Sequence, residues 1–566
     1  MTHKVGGRSG ERLDCASCFF RCYNWETMVR LSFYGGINEI GGNKILLEDE
    51  ERRLFLDFGF PYKRHKLFYE EYLKPRSGAG LLDPLALGLL PPLEGIYRDD
   101  LQMPGLWQQF RDTPSYRRLE QVDGVLLSHA HLDHSGHISF LREDIPVYTT
   151  SVTAFVIKAM QDSGKTDFDQ QVCYFSPTLR ECPAGWKQTA FLTSNLPRQQ
   201  RRFCLADTEP QALSPDALQF WEWGFWEKTA KQKDLSSCPM TSHSDCSFNL
   251  RCFPVDHSIP GACAWGIETG SGWVVYSGDL RFHGKRAELS RSFIEGAAAL
   301  RPKVLILEGT NVERESNVTE HEVYENGLKA IKGSKGLVIA DFSPRDVDRL
   351  LTFLQIARET GRKLAILPKD AYLLKTMRLL EPETPDVARE ESIAIYQDTI
   401  ASRYPSLWVR NICQEYESRI VLAEDVASAQ EDFILCFSFF DLNELPSIHP
   451  RAGSLYVYSS SEPHDEEQEI DFRRLHKWLE HFGLRGFGLP VEIKKGKKVE
   501  WEVPDAERGL HASGHASGAD LLRIAQEIKP EILIPVHSER PGFFVEHLSG
   551  SKMSVVLPAM GGTVEI

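Results

Sequence analysis

The sequence predicts an α/β (α+β) protein, on three observations. Five short apolar runs read as buried strands: Leu54–Leu56, Val125–Leu127, Val274–Tyr276, Val304–Leu307 and Ile532–Val536. Each is closely followed by a polar residue able to do chemistry, namely Asp57, His129, Asp279, Glu308 and His537. Amphipathic helices alternate with the strands: Val347–Thr360, stopped by Gly361; Phe472–Phe482; and Ala519–Ile528, ended by Pro530. Active sites of layered α/β folds gather at strand ends, so five reactive endings in one chain point to a shared site.

Composition narrows the class. The chain has 566 residues, is 42% hydrophobic and carries a net charge of −15. That apolar fraction supports a large core and excludes global disorder. No apolar run is long enough for a membrane-spanning helix, and the polar start MTHKVGGRSGERLD is not a signal peptide. The 12 cysteines are scattered without a tight framework, which predicts a reduced, cytoplasmic setting. The acidic balance argues against binding nucleic acid by net charge and leaves room for a local basic groove.

Taken in order, residues 1–28 read as a disordered extension, or as an upstream start with Met28 as the natural one. Their Cys15, Cys18 and Cys22 would otherwise be an incomplete metal site. Residues 61–120 and 178–248 read as insertions, serving as extra packing or as a lid or substrate channel. GGINEIGG is not a dinucleotide fingerprint, so no nucleotide cofactor is expected. The basic run Lys494, Lys495, Lys497 and Lys498 reads as a hairpin tip before it reads as an RNA contact.

The chemistry concentrates in Ser128-His129-Ala130-His131-Leu132-Asp133-His134. Chance matches to HxHxDH number on the order of 10⁻³ in a chain of this composition. Imidazole and carboxylate suit Zn²⁺ and similar borderline ions. His129 and His131 can reach one ion, and Asp133 and His134 a second. His137 reads as a supporting or surface residue. Four residues cannot complete two sites, so strand ends must add His257, Asp279 and His537. HASGHASG at 511–518 precedes a helix; its N–H groups, Ser513 and Ser517 form a phosphate cradle or an ordinary glycine turn with an N-cap.

The order Asp57, HxHxDH, His257, Asp279, His537 resembles the metallo-β-lactamase superfamily. More narrowly it resembles the β-CASP nucleases, and among these ribonuclease J. GGINEIGGNK, SHAHLDHSGH, DHSIPGA, SGDLRF, FSPRDVDRL, HASGHASGADL and KPEILIPVHSE carry the likeness from about residue 29 to 566. The resemblance implies a four-layer αβ/βα sandwich over 29–310 and 508–566, with a β-CASP domain inserted at 311–507. It implies two divalent ions, Zn²⁺ first and Mn²⁺ or Mg²⁺ as alternatives. His129, His131 and His257 would hold one, and Asp133, His134 and His537 the other. Asp279 would bridge them, and Asp57 would orient HxHxDH from beneath. Asp133, Asp279 and His515 would be catalytic. Glu308 and His515 match β-CASP motifs. His511, Ser513, His515 and Arg345 would hold substrate phosphate. Arg349 would either contact phosphate or lie on a solvated helix face.

The implied activity is hydrolysis of single-stranded RNA through a dinuclear metal-bound hydroxide, 5′→3′ with endonuclease activity beside it. The alternatives are a DNA nuclease, a hydrolase of a small ester or thioester, and a non-catalytic RNA-binding relative. No membrane partner is expected, and no feature supports a homo-oligomer. Three departures stand out. No room follows His537 for the separate C-terminal domain usual in ribonuclease J. VHSE replaces the usual VHGE, and Glu308-Gly309-Thr310 replaces acidic-Ser-Thr.

Overall fold

The computed structural model describes residues 28–566, apart from 71, 165–167, 182–189, 194, 227–233, 399–404, 462–465 and 496–497. The reading of residues 1–28 as an extension, with its three cysteines, falls outside the described residues except for Met28.

Two sheets pack face to face. The first has eight strands in the order Thr241–Ser242, Phe203–Leu205, Val147–Thr149, Gly124–Leu126, Arg52–Phe58, Lys44–Asp49, Arg30–Gly35 and Thr563–Glu565. The second has six, in the order Leu250–Pro254, Cys263–Thr269, Gly272–Tyr276, Val304–Glu308, Ile532–Val536 and Ser554–Val555. All five strands expected from the apolar runs are present, within a residue or two at each end.

Period-2 alternation explains the layering. Leu54, Leu56 and Leu126 of the first sheet meet Val274, Tyr276, Ile306 and Ile534 of the second in one buried cluster. Phe55, Val125 and Leu127 face outward onto the helix Ser151–Ser163. Val275, Leu305, Leu307 and Leu533 face outward onto the helices Ala287–Leu300 and Gly518–Ile528. The result is helix, sheet, sheet, helix. Parallel strands covered on both faces need near-continuous apolar runs, which is why these five stood out in the sequence.

A third sheet, of seven parallel strands, lies between residues 338 and 487. Its order is Ile420–Val421, Ile393–Tyr396, Lys363–Ile366, Phe433–Leu435, Val338–Asp341, Leu455–Tyr458 and Arg485–Phe487. Helix Val347–Thr360 starts at Asp346, whose side chain accepts from Arg349 N, and ends at left-handed Gly361, as its sequence predicts. The strands Val491–Lys495 and Lys498–Glu502 pair antiparallel; Lys497, at the position read as a hairpin tip, lies outside the described residues. No helix among the described residues is long and apolar enough to cross a membrane.

One expectation needs correction. Residues 178–248 are not wholly an insertion, because Phe203–Leu205 pairs in parallel with Val147–Thr149 and with Thr241–Ser242 inside the first sheet. The strand is only FCL, too short for a periodic signal, and polar sequence flanks it.

Candidate metal centre

The C-terminal ends of the parallel strands from both sheets meet at one edge of the sandwich. Arg52–Phe58 delivers Asp57, and Gly124–Leu126 leads into HxHxDH. Gly272–Tyr276, Val304–Glu308 and Ile532–Val536 deliver Asp279, Glu308 and His537 from the facing sheet. Asp57 (φ 54°) and His537 (φ 52°) both adopt the left-handed region, an unfavourable conformation for side chains of this kind that clusters at functional sites. Gly59 lets the turn after Asp57 close, since a Cβ there would lie 1.6 Å from Asp133 O. GGINEIGG has a role too: Gly42 N donates to Asp133 O at 2.9 Å.

Two ligand sets converge. His131 Nδ1 lies 3.1 Å from both His129 Nε2 and His257 Nε2. Asp279 Oδ2 lies 3.1 Å from His134 Nε2, 3.7 Å from His129 Nε2 and 3.8 Å from His537 Nε2. Asp133 Oδ2 lies 3.3 Å from His537 Nε2 and 3.7 Å from His134 Nε2. Four overlapping groups of these side chains, one including Glu308 and His515, have the mutual spacing a cation needs. The donor set fits. Three imidazole nitrogens face one another where a hydrogen could satisfy only one pair, and buried His134 Nε2 and Asp279 Oδ1 have no hydrogen-bond partner.

Three of these imidazoles are held from behind. Asp57 accepts from Ser128 N at 2.7 Å, Ser128 Oγ at 2.8 Å, Tyr276 OH at 2.6 Å and His134 Nδ1 at 2.6 Å. Gly514 O holds His257 Nδ1 at 2.6 Å, and Thr310 Oγ1 holds His537 Nδ1 at 2.8 Å. Such partners set tautomer and orientation. The supporting roles of Tyr276, Thr310, Ser128 and Asn43, which donates to Tyr276 OH, escaped the sequence reading; their residue types are too common to mark them.

Electrostatics divide the site. Burial pushes His129 and His257 well down and His131 to about 4, so these imidazoles are neutral and ligand-ready. Burial opposes charge in the other half as well, but there it is overcome. Asp279, Asp133 and Asp57 raise His134 well above its ordinary value, while His134 and His537 hold Asp279 and Asp133 down. His515 is pushed up to about 9, against burial, by Glu308 and Asp279; its Nδ1 lies 2.9 Å from Glu308 Oε2.

The loop 511–517 sits beside this cluster. Ser513 Oγ accepts from Asn311 Nδ2 at 2.7 Å and from His515 N at 3.2 Å. Burial, with Arg349 and Arg314 beside it, takes His511 down to about 3, so it is a neutral imidazole rather than a cation. Arg345 is half-buried; burial lowers its pKa, and Tyr62 and Asp133 only partly oppose that shift. A cavity of about 240 Å³ opens along Ala130, Leu132, Pro344, Arg345, Lys369 and Leu373.

Two expectations fail here. His137 is neither a surface residue nor a support for the ligands. It is buried, with its ring packed on Phe60 and Phe140 at 5.3 and 5.2 Å. Arg349 lies on no solvated face and is fully buried. It forks onto Glu320 at 3.0 and 3.2 Å and donates to Ala512 O and Leu510 O. Arg281 joins it, bonding Asp348 at 2.7 Å and Asp256 at 3.2 Å and donating to Ser513 O at 3.3 Å. This buried network ties the third-sheet region to the 511–517 loop.

The chain is similar to known proteins. Residues 102–197 match the beta-lactamase superfamily domain, and residues 505–558 match the Zn-dependent metallo-hydrolase RNA specificity domain. Ribonuclease J of Mycobacterium tuberculosis is 23% identical over 523 residues, covering 90% of this chain and 68% of the relative. Ribonuclease J of Helicobacter pylori is 19% identical over 91% of this chain and 57% of its own length. A solved protein of unknown function from Enterococcus faecalis superposes with a TM-score of 0.61 at 20% identity, covering 95% of this chain and all of that one, which bears on the fold alone.

Proposed function

We propose, from the premise that this chain is a metallo-β-lactamase-fold hydrolase similar to the ribonucleases J, that it is a ribonuclease cleaving single-stranded RNA with two divalent ions. The observation that carries the reading is the convergence of seven ligand-type side chains from both sheets, in two sets that share Asp279. His129, His131 and His257 would hold one ion, and Asp133, His134 and His537 the other, with Asp279 common to both. Imidazole-rich ligation favours Zn²⁺, with Mn²⁺ or Mg²⁺ as alternatives. When bound, such ions neutralise charge on the phosphodiester and make a water more acidic.

The chain's own residues do the rest. Asp57, Thr310 and Gly514 O hold three of the ligand imidazoles in orientation. Glu308 engages Nδ1 of His515 and leaves Nε2 for the substrate. The water gives up one proton to solvent as its oxygen joins phosphorus, the bond to the 3′ oxygen breaks, and His515 gives that oxygen a proton. Ser513, His511 and Arg345 hold phosphate oxygens. The products are a 3′ hydroxyl and a 5′ phosphate. We assign a 5′→3′ exonuclease mode with endonuclease activity beside it. The cytoplasmic setting expected from the scattered cysteines belongs to the same reading. A small ester would not need the seven-stranded region beside the site.

The test is digestion of end-labelled RNA by protein stripped of metal and then given Zn²⁺ or Mn²⁺. Activity should return with about two ions per chain, RNA should be cut faster than matched DNA, and Asp279→Ala should abolish cutting. Equal rates on RNA and DNA, or full activity with one ion or none, would reject the reading.

A further inference from the structure

Residues 60–76 read FPYKRHKLFYEEYLKPR, with five Lys or Arg against two Glu in a chain of net charge −15. Aromatic and apolar side chains on this segment stand in solvent. Tyr72 is 87% exposed, Leu67 73%, Leu73 60%, Tyr62 42% and Phe68 40%. Exposed apolar clusters of this kind mark contact surfaces, since burying them is what a soluble chain otherwise does.

The segment is anchored rather than free. Phe60 N donates to Leu132 O at 2.8 Å, inside HxHxDH. Phe60 packs on Tyr62 at 4.9 Å and His65 at 4.8 Å, and His65 packs on Tyr69 at 4.9 Å. Glu70 Oε1 accepts from Tyr72 N and Leu73 N, both at 3.0 Å, and fixes the turn that turns these side chains outward. Lys63 pairs with Glu539, two residues past His537, at 2.5 Å; both side chains are more than half exposed, so the pair is weak and exchangeable for a phosphate. Arg64 is held by Glu39 and Arg76 by Asp83.

We infer that the exposed side chains of Tyr62, Leu67, Phe68, Tyr72 and Leu73 form a stacking platform for the single-stranded RNA whose bond is cut at the neighbouring centre. The inference rests on the ribonuclease reading. The chemistry is that of sequence-tolerant single-strand binding: flat rings offer faces to successive bases, and interleaved cations follow the backbone. A protein partner is the other occupant such a surface could take, but cations interleaved with rings beside a hydrolytic centre favour the strand being cut.

The experiment compares wild type, Phe68→Ala/Tyr72→Ala and Phe68→Trp/Tyr72→Trp on a dinucleotide and on a single-stranded RNA of about 16 nucleotides. Binding is read by fluorescence anisotropy with Ca²⁺ as the metal, and cleavage by product analysis. The alanine pair should bind the long RNA about tenfold or more weakly and raise its KM. It should cleave the dinucleotide at the wild-type rate, and the tryptophan pair should restore long-RNA binding. Unchanged anisotropy and KM for the alanine pair would overturn the platform and assign the surface to a protein contact. Failure of the wild type to cut either RNA would reject the ribonuclease reading instead, and the anisotropy series would still decide the platform.

Discussion

Gly309 and Ser538 share one space. A Cβ on Gly309 would lie 2.8 Å from Ser538 Cβ and 3.2 Å from the Phe544 ring. The two departures from the ribonuclease J pattern, glycine after the acidic residue and serine after the last histidine, are therefore one exchange of size across neighbouring strand ends. Gly309→Ser alone should destabilise by about 1–3 kcal/mol through overpacking. Adding Ser538→Gly should recover most of that loss, a coupling of about 0.5–3 kcal/mol. Urea denaturation of the two single variants and the double variant measures it, and additive effects would show that the sites are independent.

Asp57 gathers four donors, His134 Nδ1 among them, beneath the metal centre. Asp57→Asn keeps the volume but breaks the acceptor pattern that sets the tautomer of His134. Metal affinity should fall about 10–100-fold, as for other partners of metal-bound histidines. Competition with a chromogenic chelator reads this directly. His137→Ala is the control: it should keep both ions and lose thermal stability, because His137 is a packing residue. Equal metal loss in both variants would dissolve the distinction.

Arg349 is a structural fork, and its partners say what its loss should cost. Arg349→Ala should cost about 3–5 kcal/mol, because buried Glu320 would lose its forked partner and keep only Arg281, at 3.3 Å. Arg349→Lys should rescue little, since a single ammonium cannot reach Glu320, Ser459 and the 510 and 512 carbonyls together. Chemical denaturation of both variants is the measurement. A lysine variant as stable as wild type would mean that charge alone matters there.

The failures of sequence reading have a common cause. Strands such as Ile532–Val536 announce themselves because burial on both faces demands a continuous apolar run. HxHxDH is legible because four ligand-type side chains come from one turn. Arg349 and Arg281 were not legible, because a buried arginine looks like any other until its carboxylates arrive from far along the chain: Glu320 lies 29 residues from Arg349, and Asp348 lies 67 from Arg281. His137 misled for the opposite reason, since it sits close to true ligand types in sequence but turns into the core. Phe203–Leu205 was missed because the neighbours that make it a sheet strand are distant.

Asp341 ends a strand of the third sheet, is buried, and accepts a hydrogen bond from Tyr456 OH. Burial raises its pKa to about 7; the tyrosine opposes the shift and Asp441 adds to it. A carboxyl raised on folding favours the native state while it keeps its proton there. That contribution is fully present below about pH 4, the unfolded value, and is lost as pH rises to about 7. Asp341→Asn should therefore stabilise the metal-free protein at pH 8 relative to pH 5, compared with wild type at the same two values. Denaturation curves that run parallel for the two proteins would show that Asp341 keeps one charge state throughout.

The 5′ end of the substrate gives the sharpest test of the 511–517 loop. An exonuclease must measure one nucleotide from the terminus to the cleaved bond, and a pocket for a terminal monophosphate does so. Ser513 Oγ already accepts from Asn311 and from His515 N, so only its own hydrogen is left to give to a phosphate oxygen. His511 is neutral and adds a hydrogen bond at most, so positive charge must come from elsewhere. Arg345, beside Asp133, and exposed Arg314, beside His511, are the cations placed for it. RNA carrying a 5′ monophosphate should then be digested faster than RNA with a 5′ triphosphate or hydroxyl, with mononucleotides accumulating from the start. Ser513→Ala should reduce that preference by about 10–100-fold, the loss of one hydrogen bond to a charged group, while both ions stay bound. Arg314→Ala should reduce it further if that guanidinium faces the phosphate. Internal fragments appearing first, with no effect of the 5′ group, would mean that the enzyme cuts mainly inside the strand and that the loop holds the scissile phosphate rather than the terminal one.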